Sequence, residues 1–247
     1  MLRQGLLEVA TDRQYPIGYK YEAPDAIYRY GHVDPARQLR AGYGVYPMID
    51  YSETGTIVNT VAAGKLQVVC AAVADVVADQ FAGGRMVICS GAGYGTQYRV
   101  LSNTAATAGN NFTVTLQSPL VVTLTAATDI FVLYRNPFVE VHCQRQETLD
   151  GIATRWQYAS FNGIPLRFVP ADNYCWLQTK GPCLVVMSGA TVGAGIIERD
   201  VAFDTMGAVV LADYTTPYWY QRAGYILPHT ESGNITGAMA LIMLQLE

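Results

Sequence analysis

Residues 111–134 read NFTVTLQSPLVVTLTAATDIFVLY. Three apolar runs lie here, Asn111–Leu116, Val121–Leu124 and Ile130–Tyr134, rich in β-branched and aromatic residues and starting about ten residues apart. In the first, Phe112, Val114 and Leu116 alternate with threonines, the period of a strand with one buried face. The longest uncharged span, Val100 to Thr128, is studded with Asn103, Asn110, Asn111, Gln117 and many threonines and so is no membrane helix. The 111–134 stretch predicts an all-β unit, and the rest of the chain is read outward from it.

Upstream, Gly64–Cys70, Arg85–Cys89 and Gln97–Leu101 have the same character, the second after a Gly83-Gly84 turn and the third after the loop Gly91 to Gly95. Residues 58–136 are therefore expected to form a small β-barrel or β-sandwich. One interruption is foreseen over Ala71 to Phe81, where Val69, Val73, Val76 and Val77 fit the face of one short turn or helix. Residues 1–57 read as an extended N-terminal arm, broken by Pro16, Pro24, Pro35 and Pro47. Within it, Gly18–Glu22 and Ile27–Gly31 alternate like the strands of a short hairpin turning at Ala23-Pro24-Asp25-Ala26.

Residues 137–247 form the third expected division, a C-terminal β domain. It holds all three tryptophans and strand-like runs at Tyr174–Gln178, Leu184–Met187, Ala208–Leu211 and Ala238–Leu246. Turns are expected at Lys180-Gly181-Pro182, Ser188-Gly189, Val192–Gly195 and Ser232–Asn234. No exact internal repeat, low-complexity linker or coiled-coil heptad is found.

Only 15% of the 247 residues are charged, against roughly a quarter in an average soluble domain, while 51% are hydrophobic. So much neutral surface implies cover by partner subunits. The net charge is −4, and Lys and Arg are nowhere gathered, so no direct nucleic-acid binding is expected. The opening residues, with Arg3 and then Glu8, do not resemble a signal peptide, and neither cofactor nor membrane contact is expected. Eight of the 17 tyrosines fall in the arm, and Tyr15, Tyr19, Tyr21, Tyr28 and Tyr30, together with Tyr218-Trp219-Tyr220, are the candidate interface residues.

Catalytic and metal-binding residues are expected to be none. The five cysteines are odd in number and lack CxxC spacing, which argues against a disulfide framework or zinc ribbon and for buried small hydrophobes. His142 and Cys143 are adjacent on a strand and so point to opposite faces, His32 lies in the arm, and His229 lies in a loop. Ser188-Gly189 lacks the glycine two places earlier that a nucleophile elbow requires. Gly91-Ala92-Gly93-Tyr94-Gly95 has the wrong spacing for a phosphate loop and leads into a strand. The acidic groups Asp75 with Asp79, Glu140, Glu147 with Asp150, and Glu198-Arg199-Asp200 read as solvated charges. Only Asp75 and Asp79 would share a face, and only if the segment between them were helical.

Three pieces carry a resemblance. Asp79-Gln80-Phe81-Ala82-Gly83-Gly84-Arg85 leads through the Gly-rich loop to Tyr98–Ala105; Tyr174 to Cys183 is an aromatic strand running into a Gly-Pro turn; Tyr15-Pro16-Ile17-Gly18 leads to Ile27-Tyr28-Arg29-Tyr30. Together they resemble capsid decoration, or cement, proteins of tailed bacteriophages. That resemblance implies a β-rich structural protein without catalytic residues, a homotrimer bound to the major capsid protein on the outer capsid surface of a virion assembled in the host cytoplasm. Two rival readings are a receptor-binding head or tail fibre, with Trp219 as a sugar-stacking platform, and a virion-associated glycan hydrolase.

Overall fold

A computed structural model describes residues 3–47, 52–143, 160–188, 199–204, 206–212, 221–227 and 239–247. They contain sixteen strands and no helix, so the protein is all-β. The chain divides into two units, residues 50–136 and the combination of 1–49 with 137–247.

The unit 50–136 is a barrel. Its strands are β4 (Ser52–Thr56), β5 (Gln67–Ala71), β6 (Arg85–Ile88), β7 (Gln97–Asn103), β8 (Asn111–Leu116) and β9 (Ile130–Tyr134), with β1 to β3 lying earlier in the chain. They run antiparallel in the order β4-β9-β6-β7-β8-β5. The ring closes just beyond β4, where Ile57 bridges Cys70 and the Val58 amide donates to Val69 O at 3.0 Å. Alternation then does its work: Val68, Cys70, Met86, Ile88, Tyr98, Val100, Phe112, Val114, Leu116, Phe131 and Leu133 all point into one core.

This barrel is built twice over, the hairpin β4–β5 and strand β6 recurring as β7–β8 and β9. The crossover after β5 is laced to the β7–β8 loop by reciprocal bonds between Val76 and Ala106 (2.8 and 2.9 Å), with Gly109 N donating to Ala72 O at 2.9 Å. The crossover after β8 is laced to the β4–β5 loop in the same way, by Val61 with Leu124 (2.8 and 2.9 Å) and Gly64 N to Leu120 O at 2.8 Å. Only a trace of this repeat shows in the sequence, Asn59-Thr60 before Gly64 and Asn103-Thr104 before Gly109.

The short helix or turn foreseen over 71–81 is an extended crossover with turns. Val76 sits in a bridge and is buried, while Val73 and Val77 face solvent, so the valines do not share a face. The buried Glu53 carboxylate holds this segment, accepting from the Val73 and Ala74 amides.

In the other unit, the expected separate arm is absent. β1 (Lys20–Glu22) and β2 (Ile27–His32) form the anticipated hairpin, but β2 goes on to pair with the first half of β12 (Tyr174–Val186), from His32 opposite Tyr174 to Ile27 opposite Lys180. The prolines end strands without preventing docking, so residues 1–49 belong to the same unit as 137–247. β3 (Tyr46–Pro47) pairs with β10 (Val141–His142), and β11 (Ile164–Pro165) pairs with β12.

The second half of β12 pairs with β16 (Met239–Gln245), and the sheet continues through β15 (Arg222–Ile226), β13 (Asp200–Phe203) and β14 (Val209–Leu211). It curls until Met187, just past β12, bridges Val209, with Ser188 N donating to Val209 O at 2.9 Å. Cys183, Val185, Val201, Phe203, Ala223, Ile242 and Leu244 fill the space enclosed.

The Lys180-Gly181-Pro182 turn is likewise corrected. β12 runs straight through it: Lys180, Gly181 and Pro182 stand opposite Gln245, Leu244 and Met243 in unbroken register, and a bulge lies just before them, between Gln178 and Lys180. Gly181 has φ +99°, and a Cβ there would lie 2.1 Å from Asp25 O, so glycine marks a close backbone approach at this point.

Candidate interaction surfaces

The aromatic residues of the first thirty positions converge on Trp176. Trp176 is buried on β12, with the rings of Tyr15 and Tyr30 at 5.1 Å, Tyr21 at 5.9 Å and Tyr19 at 6.3 Å from it. Two of their polar ends, those of Trp176 and Tyr30, are satisfied inside the chain by one residue, Gln4, which is itself buried. The Trp176 indole donates to Gln4 O at 3.1 Å, and the Tyr30 hydroxyl donates to Gln4 Oε1 at 2.5 Å. Burial pushes the Tyr28 and Tyr30 hydroxyl pKa values up.

Of the five N-terminal candidates, then, Tyr28 and Tyr30 are core residues, Tyr15 and Tyr21 are half-buried and Tyr19 is exposed. Tyr218, Trp219 and Tyr220 lie outside the described residues.

The loop Gly91 to Gly95 encloses an anion of the chain's own. Asp129, fully buried, accepts from the Gly93 amide at 3.0 Å through Oδ1 and from the Thr125 amide at 2.6 Å through Oδ2. Gly91, at φ +77°, leaves room for it, since a Cβ there would sit 2.3 Å from Oδ1.

His142 and Cys143 are both buried. Burial and the neighbouring Arg37 charge lower the His142 pKa to about 4, and burial pushes the Cys143 thiol up to about 12. Each is held in its neutral form, the opposite of what a thiolate–imidazolium pair needs. Cys70, Cys143, Cys175 and Cys183 are buried as expected, Cys89 is exposed on the barrel, and all five are free. Asp75 Oδ1 accepts the Ala108 amide at 2.8 Å, His32 Nε2 lies 3.0 Å from Asp172 Oδ1, and Asp200 pairs with Arg222 at 2.8 Å. Glu147, Asp150, Glu198 and His229 lie outside the described residues. Among the described residues no group of three or more His, Cys, Asp or Glu could hold a metal ion, and no helix is long and apolar enough to cross a membrane.

What sequence reading missed is an apolar outer face on the curled sheet. Leu184, 52% exposed, stands directly opposite Leu241, 40% exposed, so the two share that face. By the same register Pro182 and Tyr225 both flank Met243, and Val186 lies opposite Met239. The signal was present in β16, whose Met-Ala-Leu-Ile-Met-Leu run is apolar on both faces, as in strands covered on both sides. On the barrel, Val73, Val77, Tyr94, Leu101 and Val121 are also exposed.

No family model matches the chain, and no curated protein or solved structure is similar to it at a significant level.

Proposed function

We propose that this is a non-catalytic structural protein of a tailed-phage particle, which binds the outer face of the capsid as a symmetric oligomer, a homotrimer, and reinforces the shell. The observation that carries the reading is the outer face around Leu184, Leu241 and Met243, an uncharged patch on a regular sheet. Contiguous apolar patches of this kind mark association surfaces. A closed ring of identical copies would cover it, and each bound ring would gain from the effective concentration of its linked subunits. The low charge content and the resemblance of the Asp79–Ala105 and Tyr174–Cys183 stretches to decoration proteins support the same reading.

The test is a comparison of particles with and without the protein. Particles lacking it should release DNA at lower temperature, and quantitation on intact particles should give copies on the order of hundreds, as a symmetric lattice requires. Unchanged heat release, or a copy number fitting only a single tail axis, would overturn the proposal.

A further inference from the structure

Beside the end of β12 lies a cleft of about 600 Å³, within the range of small-ligand sites. One wall is the loop after β2, carrying Arg37 and Arg40; the others are Val186 and Met187, Pro170, and Met206.

The cationic wall is rigidly mounted. Leu39, fully buried, exchanges backbone hydrogen bonds with Val169 at 2.8 and 3.1 Å, so its neighbour Arg40 is turned outward. The Arg40 amide donates to Cys143 Sγ at 3.3 Å, and Gly42 is tied on both sides, its amide to Pro165 O at 3.1 Å and its carbonyl to the Val186 amide at 2.9 Å.

Charge in the cleft is unbalanced. Asp204 is the acidic residue in its lining, and its Oδ1 is already engaged by the Met206 and Ala208 amides at 2.8 and 2.9 Å. Asp34, behind the wall, reaches Arg37 only at 3.8 Å and spends its other oxygen on the Ala36 amide at 2.7 Å. The Arg40 guanidinium has no hydrogen-bond or ion-pair partner among the described residues. A guanidinium without a partner among the described residues, carried on an anchored backbone beside methionine, valine and proline, suits a ligand with an anionic head and an apolar body.

We propose that this cleft binds a carboxylate carried on an apolar body, with Arg40 taking the carboxylate and Val186, Met187 and Met206 the body. The carboxylate could belong to a free small acid or to the C-terminus of a partner chain. The inference is independent of the coat-protein reading and is tested on the isolated protein.

The full chain is titrated with N-acetyl-leucine and followed by amide chemical shifts. Binding should saturate at or below the millimolar range. N-acetyl-leucinamide should bind about tenfold more weakly, and Arg40→Gln should weaken the acid by about tenfold. Arg40→Gln should melt like the parent protein, and Arg99→Gln, on the barrel, should bind like it. A peptide with the same free C-terminal leucine binding more tightly than N-acetyl-leucine assigns the site to chain ends; equal or weaker binding assigns it to small acids. Failure to saturate, equal affinity for acid and amide, full binding by Arg40→Gln, or inorganic phosphate binding as tightly as N-acetyl-leucine would each overturn the assignment.

Discussion

Asp129 accepts a hydrogen bond from Gly93 N at 3.0 Å from inside the loop that superficially looks made for phosphate. The relationship explains the glycines: they let the backbone wrap a buried carboxylate, which in turn fixes the approach to β7.

Asp129→Ala should therefore unfold the barrel more readily than a surface change would. It strands two amides, at Gly93 and Thr125, that now meet a charged acceptor, a loss of roughly 3 kcal/mol. Asp129→Asn should fall between the two, because its amide group presents a donor to one of those N–H groups. Urea unfolding monitored by circular dichroism would check the order, and equal midpoints for all three proteins would refute it.

The lowered pKa of His142 makes a signed prediction about pH. Burial first, then Arg37, disfavours the charged ring, outweighing the Glu140 backbone and Asp34. The unfolded chain takes up a proton near the ordinary value of about 6.5, while the folded chain waits until about 4. Between those values the unfolded state binds more protons, so stability should decline as pH falls through that window, by about 3 kcal/mol in total. His142→Phe keeps a ring against Tyr46, whose centroid lies 4.3 Å away, and should abolish this component. Identical pH–stability curves for parent and variant would contradict it.

Self-association through the curled sheet can be probed with Leu184→Asp. Leu184 is half exposed in the single chain, so the substitution should change the intrinsic stability by only about 0.5 kcal/mol. A carboxylate opposite Leu241 should nonetheless block burial of that face and yield monomers in sedimentation velocity. An oligomer of unchanged mass would show that copies meet elsewhere.

Strand positions were legible where alternation was clean. Phe112, Val114 and Leu116, or Phe131 and Leu133, announce one inward face, and the barrel uses them so. Pairing was not legible, because no local pattern tells β2 that its neighbour is β12, far along the chain; hence Tyr28 and Tyr30 looked like unattached aromatics when they are the floor beneath Trp176. Lys180-Gly181-Pro182 misled for a related reason. Glycine and proline reverse a chain in a hairpin, but here tight approach by Asp25 and Ala26 demands the glycine within a continuing strand. The outer face around Leu184 escaped notice since an apolar run does not reveal which of its sides a fold will leave bare. Arg40 gave no signal at all, its setting being made by Cys143, Val186 and Met206, which only folding brings near.

The small ladder of β3 with β10 sets Tyr46 opposite His142 and Pro47 opposite Val141. The chain thus leaves for the barrel and returns from it at neighbouring positions, about 5 Å apart across the pair. A doorway that narrow makes residues 50–136 an exchangeable cassette: one host framework can accept another insert, or a short turn in its place, without rethreading its own strands.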